Sequence, residues 1–364
     1  MIPPIAARLP LVRRPKATGL PLADRIAHLT ELTVEPAGAG HRDLVARASG
    51  VLNYAALIAS DVGLPGLAEQ LCWRQHRIFA DAGDLTGDIA VMALMPLVNI
   101  ARLLTREGDG EGAYDILQRL YRAAQRRGTA EIRNHDVDLS ALIGTDADHR
   151  KVCEELWVTV LIDGARALAR VGRWTEAADA MTAHRGIGNR LLDGRQIMIM
   201  SLMERGLDQQ ARDMIESTAP IEPWENTIAA LLRVCCRPAT SPASPPELEH
   251  ALREALTLVA PPDPEIAAFQ ARVALSALDL AHDWIGPCTA LLDAVVDVAV
   301  LDAYAARDVL SHPPARFRLT DAQGQKLGDV LTASGLGAGT LPPAHMQALT
   351  TAVEKADVTL RGLL

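Results

Sequence analysis

A glycine followed five residues later by an alanine recurs four times between apolar helical stretches, and this spacing constrains the fold more than any other feature. Glycine permits the left-handed turn that ends a helix, and a small residue lets two helices approach closely. The spacing therefore predicts successive helix–turn–helix hairpins. The pairs are Gly63/Ala68, Gly108/Ala113, Gly172/Ala177 and Gly206/Ala211.

These segments resemble the tetratricopeptide repeat, a 34-residue helix–turn–helix unit with a small residue twelve positions before the second-helix alanine. Ala56, Ala101 and Ala165 fit that position, whereas Ile199 departs from it. The resemblance covers about residues 50–225, and longer spacings before Gly172 indicate insertions. It implies an α-solenoid, in which each pair of helices buries its apolar face against its neighbours.

Composition agrees with an all-α fold, because alanine and leucine dominate and only 3% of the residues are aromatic. Helical periodicity runs on from His41, interrupted every 12–20 residues by Gly, Pro or Asp. One small β-hairpin is expected near 130–140, where Ile132, Val137 and Leu139 flank a polar turn.

The chain divides, on this pattern, into four segments. Residues 1–40 are rich in Pro and Gly and predict an extended N-terminal arm, and residues 41–236 carry the repeats. The proline-rich stretch 237–247 predicts a linker. Residues 248–364 lack the Gly/Ala spacing and are expected to form further helical repeats and a terminal cap.

The net charge of −9 argues against a direct nucleic-acid partner or an anionic membrane surface. Arginine is far commoner than lysine, a bias common in actinobacterial proteins. The five cysteines form no C-x-x-C pair, and no apolar run has signal-peptide length. We therefore expect reduced thiols and a cytoplasmic protein.

In tetratricopeptide proteins the first helices of the repeats line the groove, so the resemblance assigns binding to their outward faces. Two pairs of arginines on adjacent repeats would favour a carboxylate or phosphate ligand. The alternative is that they pair with Glu107, Asp109 or Glu176. The candidate binding residues are Asn53, Arg102, Arg106, Arg166, Arg170, Asp193 and Gln196.

The stretch "HRGIGNRLLDGRQ" at 184–196 places two glycines among cationic side chains. No strand precedes it and no Lys-Ser/Thr follows it, so a phosphate-binding loop lacks its structural context. We interpret it as the connection between two helices, with a left-handed glycine at the helix exit.

Three weaker chemical signals remain. His and Asp at 134–138 and 146–149 could hold a divalent metal, although Asp-rich loops are usually turns and caps. His250, His282–Asp283 and Asp293 or Asp297 faintly resemble the metal-binding residues of HD-type phosphohydrolases. Cys72 has Arg74 and His76 nearby but occupies a core position of the repeat.

Three hypotheses of function follow. The first is a noncatalytic scaffold or adaptor that binds a peptide, a partner protein or a small acidic ligand in the groove, without cofactor or metal. The second is a ligand-sensing regulator of secondary metabolism, since similar repeats occur in actinobacterial transcription regulators. The third is a metal-dependent hydrolase. An uncovered apolar end of the solenoid would also favour a homodimer.

Overall fold

Helices build almost the whole of this chain, as its Ala- and Leu-rich sequence predicts. A computed structural model describes residues 8–140, 145–237, 243–281 and 287–364. Their fold is all-α, with a single two-stranded sheet among the described residues. Contacts divide the chain into a first unit, Leu22–Val171 with Gly335–Leu364, and a second unit, Gly172–Ser334 with the residues up to Pro21.

The first unit combines the opening hairpins of the chain with its last helix. A π-helical segment, Val160–Gly164, joins α7 to α8 without a break in the helix. Its elements are α1 (Leu22–Leu32), α2 (His41–Asp61), α3 (Pro65–Ala82), α4 (Gly87–Met92), α5 (Met95–Glu107), α6 (Gly110–Arg126), β1 (Thr129–Ile132), β2 (His135–Asp138), α7 (Asp146–Thr159), α8 (Ala165–Arg170) and α19 (Pro343–Leu363).

The second unit is helical among its described residues. Its elements are α9 (Trp174–Ala183), α10 (Asp193–Glu204), α11 (Asp208–Glu216), α12 (Pro223–Cys235), α13 (Pro245–Val259), α14 (Ala267–Leu280), α15 (Pro287–Ala299), α16 (Ala303–Leu310), α17 (Pro313–Arg318) and α18 (Asp321–Ser334).

The four glycines of the sequence pattern share one backbone conformation. Each follows a helix, α2, α5, α8 or α10, and has a positive φ between 72° and 91°. After Gly63, Gly108 and Gly206, the amide of the next residue bonds the carbonyl five positions back at 2.8–2.9 Å. This is the Schellman cap, in which glycine takes the left-handed conformation that other residues adopt at a cost.

Small side chains allow the close helix contacts that the pattern predicts. The four alanines that follow the glycines are completely buried. Gly110 at the start of α6 lies so near α8 that a Cβ there would come within 2.1 Å of the Ala167 carbonyl oxygen. Within the first unit α2 packs on α3, α3 on α5, α5 on α6, and α6 on α7 and α8. Consecutive hairpins therefore pack side by side.

The predicted β-hairpin is confirmed, and it packs on α6. Ile132 pairs with His135 across a two-residue turn in which Arg133 and Asn134 both have positive φ, the geometry of a type I′ turn. Val137 and Ile132 are completely buried. The hairpin thus covers part of the core of the first unit.

The ends of the chain depart most from the predicted organisation. Residues 22–32, expected within an extended arm, form α1, because Leu22, Ile26 and Leu29 recur at helical spacing and are buried. The final helix α19 packs on α1, α2 and α3. The predicted boundaries at 40/41 and 236/237 therefore do not coincide with the boundaries of the two units, which follow packing rather than local composition.

The predicted linker 237–247 is partly outside the described residues, at 238–242. In its described end, Ser244 caps α13, and its backbone N–H is bonded in return by Glu247 in a capping box.

Among the described residues, one helical stretch, Gly87–Glu107, has the length and composition of a membrane span. It comprises α4 and α5, and 56% of its most apolar window is buried inside the protein. Buried core helices pass the same test.

Candidate functional site

In the first unit, α2, α5 and the π-helical segment carry a row of bonded polar side chains, here called the inner wall. Asn99 Nδ2 donates to Asn53 Oδ1 at 3.0 Å. Arg102 donates from Nη1 to Asn99 Oδ1 at 3.2 Å and from Nη2 to Asp163 Oδ2 at 2.9 Å. The π-helical segment therefore supplies the carboxylate that neutralises Arg102.

Arg106 extends the inner wall toward the end of α2. Its Nη1 donates to Ser60 Oγ at 2.8 Å and to Asp61 Oδ1 at 2.9 Å. Asp61 Oδ2 accepts a second bond, from Arg25 Nη2 at 2.7 Å, and both Arg25 and Asp61 are almost completely buried. One buried carboxylate thus joins α1, α2 and α5.

Arg102 and Arg106 therefore pair with Asp163 and Asp61, which lie far from them in sequence, and not with the local acids that we considered. Arg166 is half-buried and Arg170 is exposed, both on α8. The two other predicted residues, Asp193 and Gln196, are buried on α10 in the second unit.

Asp193 and Gln196 both contact a segment without regular secondary structure, residues 8–20, here called the strap. Gln196 is completely buried, and its Nε2 donates to the carbonyls of Leu11 and Leu191. Its Oε1 accepts no hydrogen bond. Asp193 Oδ2 accepts from Arg14 Nη2 at 2.5 Å. The two residues thus hold the backbone and a cation of the strap.

The far end of the strap is held through its backbone. The amide of Lys16 donates to the Glu265 carbonyl at 2.9 Å, and Thr18 Oγ1 donates to the Pro264 carbonyl at 3.3 Å. Gly19 donates its amide to Asp302 Oδ2 at 2.7 Å and accepts from the Ala303 amide at 3.1 Å. A side chain could not be accommodated at Gly19 without a shift.

Gly19 is packed so tightly that a Cβ there would come within 3.0–3.1 Å of Ala303 and Tyr304. Asp302 is 2% exposed and uses its other oxygen to cap α16, accepting from the Ala305 amide at 2.8 Å. The helix cap and the strap anchor are therefore one carboxylate.

Each cation of the strap has an acceptor in the second unit. Arg8 pairs with Asp279 at 2.7 Å, and Arg13 lies 3.7 Å from Glu222 and 3.9 Å from Asp263. The Lys16 ammonium stands 3.3 Å from the ring centroid of Tyr304, a cation–π contact. The strap itself contains no acidic residue. The charged side chains of the strap are therefore all cationic, and the carboxylates that pair with them belong to the surface that holds it.

Asp279 is shared between the strap and the core. His312 contributes its Nε2 at 2.9 Å to Asp279 Oδ1, while its Nδ1 accepts from the Ala315 amide at 3.1 Å and so caps α17. Burial by itself would raise the pKa of Asp279, but the bonds and charges of His312 and Arg8 outweigh it and hold that pKa below its ordinary value. The carboxylate that receives Arg8 is therefore ionised at neutral pH.

The segment 184–196 connects α9 to α10 and sets the start of α10. Its left-handed residue is Arg185, with φ 55°, rather than the glycine that we expected at the helix exit. Gly194 approaches the Gly186 carbonyl so closely that a Cβ would stand 2.2 Å from that oxygen. Arg190 bonds Glu225 at 2.6 Å and fastens the loop to α12. The loop thus positions Asp193 rather than cradling a phosphate.

In the insertion where we weighed a metal site against turns and caps, three of the polar side chains bond neighbouring parts of the fold. His149 Nε2 bonds the Ala124 carbonyl, Asp148 accepts from the Gly87 amide, and Asp138 accepts from Ser140. Within the described ranges, no group of three His, Cys, Asp or Glu side chains is placed to hold a metal ion. His282–Asp283 lie outside the described residues.

Cys72 lies in the core of the first unit, and burial, with a smaller contribution from Glu69, raises the pKa of its thiol to about 12. A thiolate is the nucleophilic form of cysteine. Cys72 is therefore protonated and unreactive at neutral pH.

Sequence reasoning missed the strap as a functional element. Its signal was present: four cations and no acid within thirteen residues of an acidic protein, interrupted by Pro10 and Pro15. Its acceptors lie 179 to 283 positions away, as for Arg14 with Asp193 and Gly19 with Asp302. No local pattern could have identified them.

Comparison with protein-family models, with curated proteins and with solved structures gives no match for this chain. Its function is therefore argued from its own geometry.

Proposed function

We propose that this protein is a noncatalytic interaction protein whose second unit binds an extended, arginine-rich peptide. The observation that carries the proposal is the strap: a segment without regular structure, held by α10, α14, α16 and the loops beside them. We call the surface that holds it the strap face. It comprises Asp193, Gln196, Glu222, Asp263, Asp279, Asp302 and Tyr304.

Two kinds of contact support a peptide ligand. Backbone groups at Leu11, Lys16 and Gly19 are bonded by the strap face, as any extended chain could be. The carboxylates of the face favour guanidinium groups, which can bind carboxylates in bidentate geometry. Backbone contacts therefore provide affinity, and the acidic residues provide the preference for arginine.

The side chain of Gln196 independently supports a peptide ligand on the strap face. A buried amide oxygen without a donor costs free energy, so such atoms are uncommon in folded proteins. Gln196 Oε1 has no hydrogen-bond partner among the described residues, although the side chain is completely buried. A peptide with a donor at this place would satisfy it, and the strap does not.

An acidic ligand in the inner wall receives less support. Arg102 and Arg106 already bond Asp163 and Asp61 within the same unit, and Asp61 also bonds Arg25. A carboxylate ligand would have to displace those acids. The geometry therefore favours the strap face over the inner wall as the place where a partner binds.

The test uses a fluorescent peptide with the sequence of the strap, RLPLVRRPKATGL. Because the strap of the wild type is present at an effective concentration in the millimolar range, it should exclude the peptide. In the variant Arg8→Ala/Arg14→Ala the strap loses two of its ion pairs. We expect this variant to bind the peptide with a Kd on the order of 10 µM, measured by fluorescence anisotropy.

The matched control adds Asp193→Arg to that variant, which reverses one carboxylate of the strap face and leaves the inner wall unchanged. We expect at least a tenfold loss of peptide affinity, recovered by a peptide that carries Glu in place of Arg14. Equal binding to the strap face with and without Asp193→Arg, or no binding to the strap variant, would overturn the proposal.

A further inference from the structure

The strap belongs to the second unit, and the chain runs on from it into the first helix of the first unit. It ends at Leu20, and after Pro21 the chain enters α1, which packs on α2 and α19 of the first unit. The bonds of the strap described above are all to residues of the second unit. Noncovalent contacts therefore hold the strap to the rest of its own unit, while its covalent continuation is α1.

No regular element has to unfold for the strap to leave. The strap contains no helix or strand, and Gly19 and Pro21 lie just before α1 begins. Segments of this kind are exchanged between copies of a protein at low cost, because the exchanged segment forms the same bonds on the other copy. A second copy carries the sequence that fits the strap face in this structure.

We propose that the strap face takes the strap of a second copy of this chain, so that two molecules exchange these segments. This rests on the proposed function, since it requires the strap to act as a separable ligand. Charge complementarity carries the choice of occupant: Arg8, Arg13 and Arg14 each have an acidic partner on the face.

Concentration sets the balance between the two forms. Within one chain the strap competes at an effective concentration in the millimolar range, so the exchanged dimer of the wild type gains population only as total protein approaches that range. Any change that prevents the strap from binding its own chain, while leaving it complementary to another, shifts the balance fully to the dimer.

A pair of complementary variants creates that situation. Arg14→Glu reverses one charge on the strap and leaves the strap face unchanged. Asp193→Arg reverses one charge on the strap face and leaves the strap unchanged. Within either chain the two groups repel, whereas between the two variants both pairs are restored. We expect an equimolar mixture at about 100 µM to form a one-to-one heterodimer. Size exclusion with light scattering measures it.

The control is the double variant Arg14→Glu/Asp193→Arg, in which the pair is restored within one chain. We expect it to remain monomeric at the concentration where the mixture is dimeric, with an unchanged helical circular dichroism spectrum. A monomeric mixture would overturn the exchange. If the labelled peptide still binds the strap variant, the proposed function stands and only the second copy is wrong as occupant.

A second experiment is independent of charge reversal and covers the case in which Asp193→Arg fails to fold. Thr18 Oγ1 lies 3.3 Å from the Pro264 carbonyl. Chains carrying Thr18→Cys are mixed with chains carrying Pro264→Cys at a total concentration of about 1 mM, where exchange is expected, and are oxidised with glutathione disulfide. A disulfide-linked heterodimer on a nonreducing gel is expected; its absence, when the double cysteine variant closes its own disulfide, contradicts the exchange.

Discussion

The inner wall and the strap face both pair arginines with carboxylates, yet they differ in what carries the arginines. In the inner wall Arg102 and Arg106 are fixed on α5, and their acids lie on neighbouring helices of the same unit. On the strap face Arg8 and Arg14 arrive on a segment without helix or strand. The same kind of ion pair therefore joins helices in one region and holds a segment without helix or strand in the other.

This difference bears on how an arginine-rich surface is interpreted. A row of cations on adjacent helices suggests an anion site, but internal carboxylates can satisfy it completely. A row of carboxylates occupied by a nonhelical segment is typical of a surface that binds a chain. Detachability, rather than charge alone, separates a binding surface from a structural network.

The largest effect is expected at the buried end of the inner wall. Asp61→Asn removes the carboxylate that pairs with the almost completely buried Arg25, and removing one partner of a buried pair costs about 3–5 kcal/mol. We expect a loss of that size in the free energy of unfolding of the first unit, measured in urea. Asp163→Asn, on the exposed pair with Arg102, is the matched control and should cost about 1 kcal/mol or less.

The next largest effect is expected in the free energy of unfolding of the first unit as the pH changes. Burial, with a smaller effect of His135, lowers the pKa of His76 to about 4. Between pH 4 and about 6.5 the unfolded chain binds more protons at this residue, so its contribution is fully present above 6.5 and is lost as the pH falls toward 4.

The expected loss is about 3 kcal/mol, the free-energy equivalent of the shift. Between pH 6.5 and 4.5, the free energy of unfolding should depend less on pH in His76→Leu than in the wild type. His41 is exposed, and His41→Gln should leave that dependence unchanged. A wild-type slope that His76→Leu leaves unchanged would assign the pH dependence to other groups.

Release of the strap should be a smaller effect, confined to the second unit. Asp302→Ala removes both the Gly19 anchor and the cap of α16, whereas Asp193→Asn removes the negative charge that pairs with Arg14. We expect tryptic cleavage after Arg13 to become about tenfold faster in Asp193→Asn, as expected for the loss of about 1.4 kcal/mol of strap binding.

The same cleavage should speed up in the wild type as salt rises, because the strap pairs are partly exposed and are screened. Asp302→Ala should combine faster cleavage with a lower stability of the second unit. Cleavage that is insensitive to both salt and Asp193→Asn would mean that the ion pairs do not hold the strap.

The smallest effect is expected for Arg102→Ala. Its pair with Asp163 is exposed, and exposed pairs contribute about 0.2–1 kcal/mol. Strap cleavage and peptide binding should be unchanged in this variant. A drop in peptide affinity as large as that of Asp193→Arg would remove the distinction between the two regions.

Local patterns predicted the hairpins because their causes are local. Gly63 and Gly108 need positive φ at a helix end, and the alanines that follow need only to be small. The type I′ turn at Arg133–Asn134 is likewise decided by a few adjacent residues. These features could be predicted from the sequence.

The partners of the charged residues could not be predicted from the sequence, because they depend on which surfaces meet in the fold. Local acids beside Arg106 were plausible partners, but the fold brings Asp61 to it from α2. The packing of α19 on α2 and the course of the strap have the same cause. Such contacts are decided by packing between segments that lie from 45 to 283 residues apart in the examples above, about which spacing and composition carry no information.

The central claim, that the strap is a ligand rather than part of the fold, is tested most directly by cutting it. A protease site placed between Leu20 and Pro21 turns the strap into a separate peptide. The account predicts that the cut strap dissociates on dilution, that the remaining chain keeps its helical circular dichroism spectrum, and that one equivalent of labelled strap peptide then binds saturably. A cut strap that never exchanges with the labelled peptide, or a second unit that unfolds once the strap leaves, would contradict it.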